Sequence, residues 1–194
     1  MHRATRLAIV LTALLAPAGG ALGRVFMTQE QALTGAFPAP QTVDRHTLYL
    51  DEDQVAAAAE RAGVPVEGRV VSYYVGSQDG RVTGYAYFDT HLVRTLPETI
   101  MVLISTAGRI RRIDILSFDE PEDYKLSPRF LGQFREQGMG PDLSLKGKIR
   151  GMTGATLSAR AVTEAARRVL AVHTLFVAPS TGDTPRAGGV GVKP

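Results

Sequence analysis

The segment Thr153–Thr156, which reads Thr-Gly-Ala-Thr, stands directly before a long Ala- and Val-rich stretch. Thr153 is a good N-cap residue, and Thr156 would then lie at the third helical position. The first N–H groups of a helix have no partner inside it and, together with the helix dipole, attract phosphate. The spacing predicts either a phosphate-binding helix N-terminus or a capped helix whose small residues allow close packing. Four basic residues surround the segment in sequence: Lys146, Lys148, Arg150 and Arg160.

Composition removes most other catalytic chemistries. The chain has no Cys, which excludes thiol nucleophiles, disulfides, thiolate zinc sites and iron–sulfur clusters. Its four His have no metal-ligand spacing, and there is no Gly-x-Ser-x-Gly, P-loop or His-Glu-x-x-His motif. The 22 Lys and Arg stand against 19 Asp and Glu, and this small net charge of +3 gives no clustered basic surface. We therefore expect neither a metal site nor a nucleic-acid partner.

Four acidic residues lie close together around Pro121: Asp119, Glu120, Glu122 and Asp123. Carboxylates can hold a hard cation, but the central proline and the lack of an Asx-Gly ligand loop favour a solvated acidic turn. We also expect His91 and His173 to be structural or exposed, because neither has a partner at catalytic or metal-ligand spacing.

The segment Thr153–Thr156 resembles the Ser/Thr-Gly-Ala-Thr flavinylation motif of the FMN-binding domain family. That family includes the C subunit of the sodium-translocating NADH:quinone reductase and the G subunit of the Rnf complex. In its members FMN is joined by a phosphoester to the last Thr of the motif, and a flavin transferase installs it from FAD. The resemblance implies that Thr156 is the acceptor and that Thr153, Gly154 and Ala155 shape the phosphate pocket. Four further stretches resemble exported single-domain members: 25–32, 74–76, 84–91 and 118–121.

Arg150 departs from the family pattern, in which an Asp usually stands six residues before the acceptor Thr. If the transferase reads that Asp, an arginine here would instead favour noncovalent FMN through an ion pair with its phosphate. Arg94 is a second candidate for the phosphate or the flavin carbonyls, with a surface ion pair as the alternative. Tyr85 and Tyr87 are predicted to pack on a sheet rather than to stack on the flavin, and Tyr124 is a weaker candidate for stacking.

The elements that would position this segment predict an α+β fold. Period-two patterns rich in Val, Ile, Tyr and Phe predict a meander of about four antiparallel strands, at 68–76, 83–89, 99–106 and 109–117. Helices are predicted on one face of the sheet, after Thr28 and over 50–63, 128–137 and 155–173. The stretches 91–97 and 138–151 are predicted to be irregular links.

The N-terminus predicts export. A basic start, an apolar run from Leu7 to Leu15 and small residues at 21–23 are typical of a cleavable signal peptide. An uncleaved anchor is the alternative, but the run is only half of the about 20 residues that a membrane helix needs. The predicted division is a signal peptide at 1–23, an FMN-binding domain at 24–176 and a flexible tail at 177–194.

Together with the resemblance, these features imply a periplasmic electron-transfer protein that carries FMN. Its expected partners are a flavin transferase and a membrane or periplasmic redox protein, for which the acidic turn could be a docking face. Two alternatives stay open: a noncovalent FMN-binding sensor or small reductase, and a flavin-free interaction module of the cell envelope with the same fold.

Overall fold

A computed structural model describes residues 24–177. Among these residues one antiparallel sheet contains six strands: β1 (Arg24–Val25), β2 (Thr42–Tyr49), β3 (Val70–Gln78), β4 (Arg81–Leu92), β5 (Pro97–Ile104) and β6 (Ile110–Phe118). The strands lie in the order β1-β6-β5-β4-β3-β2, so β2 to β6 form a meander. The short β1 extends the sheet beyond it by pairing with β6.

The α+β class is confirmed, but the predicted count of about four strands is too low. β2 lies at an edge of the sheet and is exposed along almost its whole length, so its sequence lacks the alternation that marks a half-buried strand. β1 has only two residues, too few for any pattern. β4 runs on to Leu92, which shortens the predicted link 91–97 to residues 93–96.

Helices α1 and α2 each begin directly after a capping residue. Helix α1 (Gln29–Ala36) has a capping box on Thr28, and α2 (Glu52–Ala62) has one on Asp51. Helix α2 ends at Gly63, which takes the left-handed conformation typical of helix C-termini. Two more helices follow the sheet: the short α3 (Pro128–Leu131) and the long α4 (Thr156–Val172).

Helices cover both faces of the sheet, which corrects the prediction that they lie on one face. The apolar stripe of α4, including Val162 and Val169, packs against Ile100 and Val102 of β5 in the main core. Helix α1 and the residue after it form a second core on the opposite face, against Ala86, Met101, Leu103 and Leu116. The sheet is therefore the middle layer of three, and α4 forms one outer layer with its N-terminus free to face solvent.

The ends of the described region leave some predictions untested. The predicted signal peptide at 1–23 lies outside the described residues, as does the predicted tail beyond Val177. The last described turn is a π-helical turn at His173–Val177, which continues directly from α4. No helix within residues 24–177 is both long enough and apolar enough to cross a membrane.

Candidate functional site

Helix α4 begins at Thr156, two residues later than a cap on Thr153 would give. Ala155 occupies the N-cap position, and its side chain has no oxygen that could accept a hydrogen bond from the first N–H groups of the helix. The reason is a tight turn before the helix, in which the Ala155 N–H donates to the Met152 carbonyl at 3.1 Å and Gly154 has a φ of +84°. The predicted cap on Thr153 is therefore wrong, and Thr156 is the first helical residue rather than the third.

This start leaves the first backbone N–H groups of α4 open. Among the described residues, the N–H groups of Thr156, Leu157 and Ser158 have no hydrogen-bond partner. Thr156 itself is exposed. A helix terminus with uncapped donors carries positive potential, so the hydroxyl of Thr156 lies where a phosphate would be attracted.

A cavity of about 200 Å³ lies in front of these donors. Its walls are residues 154–158 on one side and Arg94 with Tyr124 on the other. The Arg94 guanidinium carbon lies 4.9 Å from the centroid of the Tyr124 ring, a distance typical of a cation–π contact. Tyr124 is anchored in turn by Ser158, whose hydroxyl donates to the Tyr124 carbonyl at 2.6 Å. Arg94 is the one charged side chain among the described residues that line this cavity.

Glu120 holds the link that carries Arg94. One oxygen of its carboxylate, Oε1, accepts the consecutive N–H groups of Arg94, Thr95 and Leu96 at 3.2, 2.8 and 3.0 Å. These backbone hydrogen bonds, that of Thr95 foremost, hold the pKa of Glu120 below its ordinary value. The prediction of a solvated acidic turn is thus wrong for Glu120, which is buried, although Glu122 and Asp123 are exposed.

The cavity brings together only part of the predicted set. Arg94, Gly154, Ala155 and Thr156 line it, whereas Thr153 and Arg150 do not. The backbone of Arg150 is fixed by the side-chain amide of Gln133, which bonds both its N–H and its carbonyl, and the Arg150 side chain is exposed. The roles predicted for these six residues stay predictions.

Sequence reasoning missed Ser158 and gave Tyr124 little weight. Their contact joins residues 34 positions apart in the chain, and neither residue lies in a motif that signals it. The structural role of Glu120 was likewise hidden, because it stands in a run of acids that reads as a surface turn. The one available signal was the position of Tyr124 directly after those acids.

The sheet tyrosines pack as predicted and lie far from Thr156. Tyr87 stacks on Tyr73 with ring centroids 5.7 Å apart, and its hydroxyl lies 2.9 Å from Nδ1 of His173. Burial lowers the pKa of His173 to about 4, so this imidazole is neutral at neutral pH. His173 follows the C-terminal end of the 17-residue α4, which places it about 25 Å from Thr156 at the rise of an α-helix.

A buried polar cluster joins β4, β5 and α4. His91 lies between Asp89, at 2.8 Å from its Nδ1, and Glu98, at 3.2 Å from its Nε2. Arg168 of α4 bonds both oxygens of Asp89, at 3.0 and 3.3 Å. Burial alone would lower the pKa of His91, but the hydrogen bonds to Asp89 and Glu98 raise it above its ordinary value. Nowhere in residues 24–177 do three or more His, Asp or Glu side chains form a group able to hold a metal ion.

The α+β scaffold and the cavity define a small domain whose site suits a phosphate-bearing cofactor. Three open N–H groups, one arginine and an exposed hydroxyl meet there, and no described acidic side chain lines the cavity. Residues 96–171, from just before β5 to near the end of α4, match the FMN-binding domain family. FMN is therefore the cofactor of the domain. No curated protein matches the chain significantly.

Proposed function

We propose that the protein is an exported electron carrier with FMN joined to Thr156 through a phosphoester bond. The observation that carries this proposal is the position of Thr156, an exposed hydroxyl on the first turn of α4 beside three open N–H groups. FMN, when bound, accepts and passes on one or two electrons. The absence of a nucleophile–base pair in the sequence is consistent with a carrier whose cofactor supplies the chemistry.

Attachment would be a phosphoryl transfer catalysed by a flavin transferase with FAD as the donor. The Thr156 oxygen forms a bond to the phosphorus of the FMN half of FAD, while the bond to the AMP phosphate breaks. AMP leaves with the electron pair of that bond, and the proton of the Thr156 hydroxyl is released. The chain gains one FMN less one water, and no oxidant or reductant takes part.

The residues that line the cavity would have different roles in binding FMN. The open N–H groups of α4 and the Arg94 guanidinium would hold the phosphate, because both favour negative charge. Gly154 and Ala155 leave the approach to Thr156 free of large side chains. Tyr124 supports Arg94 and offers the one aromatic ring among the described residues that line the cavity.

The decisive experiment is the intact mass of the exported protein after co-production with a flavin transferase. We expect the mass of one FMN less one water, retained on denaturation, in the wild type and in Thr156→Ser, because both keep the hydroxyl. Thr156→Ala should lack it. Thr47→Ala is the matched control: this exposed threonine lies on the edge strand β2, outside the cavity, and should leave attachment unchanged.

An unmodified mass in wild type would contradict covalent attachment. Protein that is yellow when native but loses its flavin on denaturation would instead support noncovalent binding, the alternative that Arg150 favours. A colourless protein would favour the flavin-free interaction module. Recovery of the protein in the periplasmic fraction without residues 1–23 would support export, and recovery in the cytoplasm would contradict it.

The proposed redox partner is a membrane or periplasmic protein. The acidic turn proposed as its docking face contains three acids and not four, since the Glu120 carboxylate is buried against the backbone. Glu122 is also engaged, by Arg24 and Lys125. We therefore expect that neutralising Asp119 and Asp123 changes the salt dependence of electron transfer.

A further inference from the structure

We propose that Glu120 is a positioning residue of the cofactor site, which holds Arg94 in place to receive the FMN phosphate. The inference rests on the proposed function of the cavity and extends it to a residue that does not line it. Glu120 acts through the backbone of residues 94–96, and its own carboxylate never meets the cofactor.

The contact between Glu120 and this backbone has the form of a built anion site. Three consecutive N–H groups converge on one carboxylate oxygen, and the Thr95 hydroxyl adds a fourth, longer contact at 3.4 Å. Such nests of successive N–H groups normally receive anionic ligands. Here the protein fills the nest with its own side chain, which is only 8% exposed.

Arg94 connects Glu120 to the cavity. The Arg94 N–H is itself one of the three donors, and the Arg94 side chain reaches the Tyr124 ring at the cavity wall. The link is short and closed, since the Val93 N–H donates to the Leu96 carbonyl at 3.1 Å. A second bond, from the Asp119 N–H to the Pro97 carbonyl at 3.1 Å, ties the link to the chain that carries Glu120.

The negative charge of Glu120 is essential to this arrangement. A neutral amide in its place could keep an oxygen toward the three N–H groups, but that oxygen would carry no formal negative charge. Hydrogen bonds to charged acceptors are also stronger than those to neutral ones. We therefore expect Glu120→Gln to loosen the link and to displace the Arg94 guanidinium from the cavity wall.

The test compares FMN incorporation by intact mass, with purified flavin transferase and FAD, in Glu120→Gln, Arg94→Ala and the double variant. We expect Glu120→Gln to lower the incorporation rate about tenfold at subsaturating protein, the factor that corresponds to one charge-assisted hydrogen bond. The loss should appear in the KM of the flavin transferase for this protein rather than in its kcat, because Arg94 binds the phosphate and does not react. Glu122→Gln, in the same turn but exposed, is the control and should behave as wild type.

The double variant separates positioning from a general structural effect. If Glu120 acts through Arg94, adding Glu120→Gln to Arg94→Ala should lower the rate no further. A second loss of about tenfold in that background would overturn the proposal. So would an unchanged rate in Glu120→Gln alone.

A measurement on the wild-type protein without flavin covers the case in which Glu120→Gln does not fold. On acidification, the backbone amide resonances of Thr95 and Leu96 and the Arg94 Nε–H resonance should shift with one common midpoint, that of Glu120. An Arg94 resonance that does not follow Glu120 would overturn the proposal. This coupling would be seen even if Thr156 accepts no FMN, so failure of the proposed function and failure of this inference are distinguishable.

Discussion

Gly154 sets the direction in which the chain enters α4. Its φ of +84° lies in the left-handed region, and no heavy atom lies within 4 Å of where a Cβ would stand. The requirement for glycine is therefore one of backbone conformation and not of space. The short motif around Thr156 thus combines a geometric constraint at Gly154 with the hydroxyl that we propose as the FMN acceptor.

Gly154→Ala should destabilise the fold by about 1 kcal/mol, the cost of placing an L-residue in the left-handed region. Because relief of this strain would move the first turn of α4, FMN incorporation at Thr156 should fall as well. Denaturant unfolding together with intact mass measures both effects. Gly151→Ala is the control: Gly151 has equally open space and no left-handed φ, so it should change neither quantity.

At the scale of elements, α1 is fixed to the sheet through the close contact of Phe37 with a glycine. A Cβ on Gly76 would lie 2.7 Å from Phe37 Cγ and would overlap the ring edge. Phe37 follows α1 directly and is only 3% exposed in the second core. The glycine is needed in the middle of β3 because the aromatic ring occupies the space of its side chain.

Gly76→Ala should therefore lower the free energy of unfolding by about 1–3 kcal/mol, as overpacking of a filled core does. The packing of α4 should be unaffected, because this helix lies on the opposite face of the sheet. Urea denaturation gives the stability, and flavin attachment to the folded variant should match wild type. An equal loss in Gly132→Ala, where a Cβ meets no atom within 4 Å, would show that packing against Phe37 is not the cause.

The junction of β4, β5 and α4 is held by ionisable groups, and its strength should depend on pH. His91 has a raised pKa, so its contribution is fully present below the ordinary histidine value of about 6.5 and is lost as pH rises through the folded value. Asp89 is desolvated by burial, yet its bonds to His91 and Arg168 leave its pKa lowered. Its contribution is present above the ordinary aspartate pKa and is lost as pH falls through the folded value.

We expect the free energy of unfolding to decline as pH rises from 6.5 through the folded pKa of His91. The decline should be weaker in His91→Gln, which cannot lose a proton. Denaturant unfolding between pH 6 and pH 9 measures this difference. A wild type and a His91→Gln variant with the same slope would show that His91 is not protonated between its two carboxylates. The matched control is His46→Gln, because His46 is exposed on the edge strand β2.

At the scale of the whole molecule, a feature can be predicted from the sequence when the residues that determine it are close together in the chain. Capping residues and alternating patterns act over a few positions, so the starts of α1 and α2 and the four central strands were predictable. The cap on Thr153 failed because a bend at Gly154 intervenes, a feature that short spacing does not reveal.

The features that could not be predicted depend on distant parts of the chain. β2 is a strand only because β3 lies beside it, and α1 was assigned to the wrong face because Phe37 finds its place at Gly76. At the cavity, the sequence singles out Thr156 and Arg94 as candidates, whereas Ser158 and Glu120 act on residues 34 and 24 to 26 positions away. Candidate site residues are thus easier to find in the sequence than the residues that position them.

The segment that matches the FMN-binding domain family begins at Leu96, in the middle of the folded domain. Two of the three N–H groups that hold Glu120 come from Arg94 and Thr95, just before this boundary. β5 is likewise paired on one side with β4, which lies wholly before it. Transplanting the proposed flavin site into another protein would therefore require β4 and the link after it as well, because a graft that began at Leu96 would leave Arg94 behind.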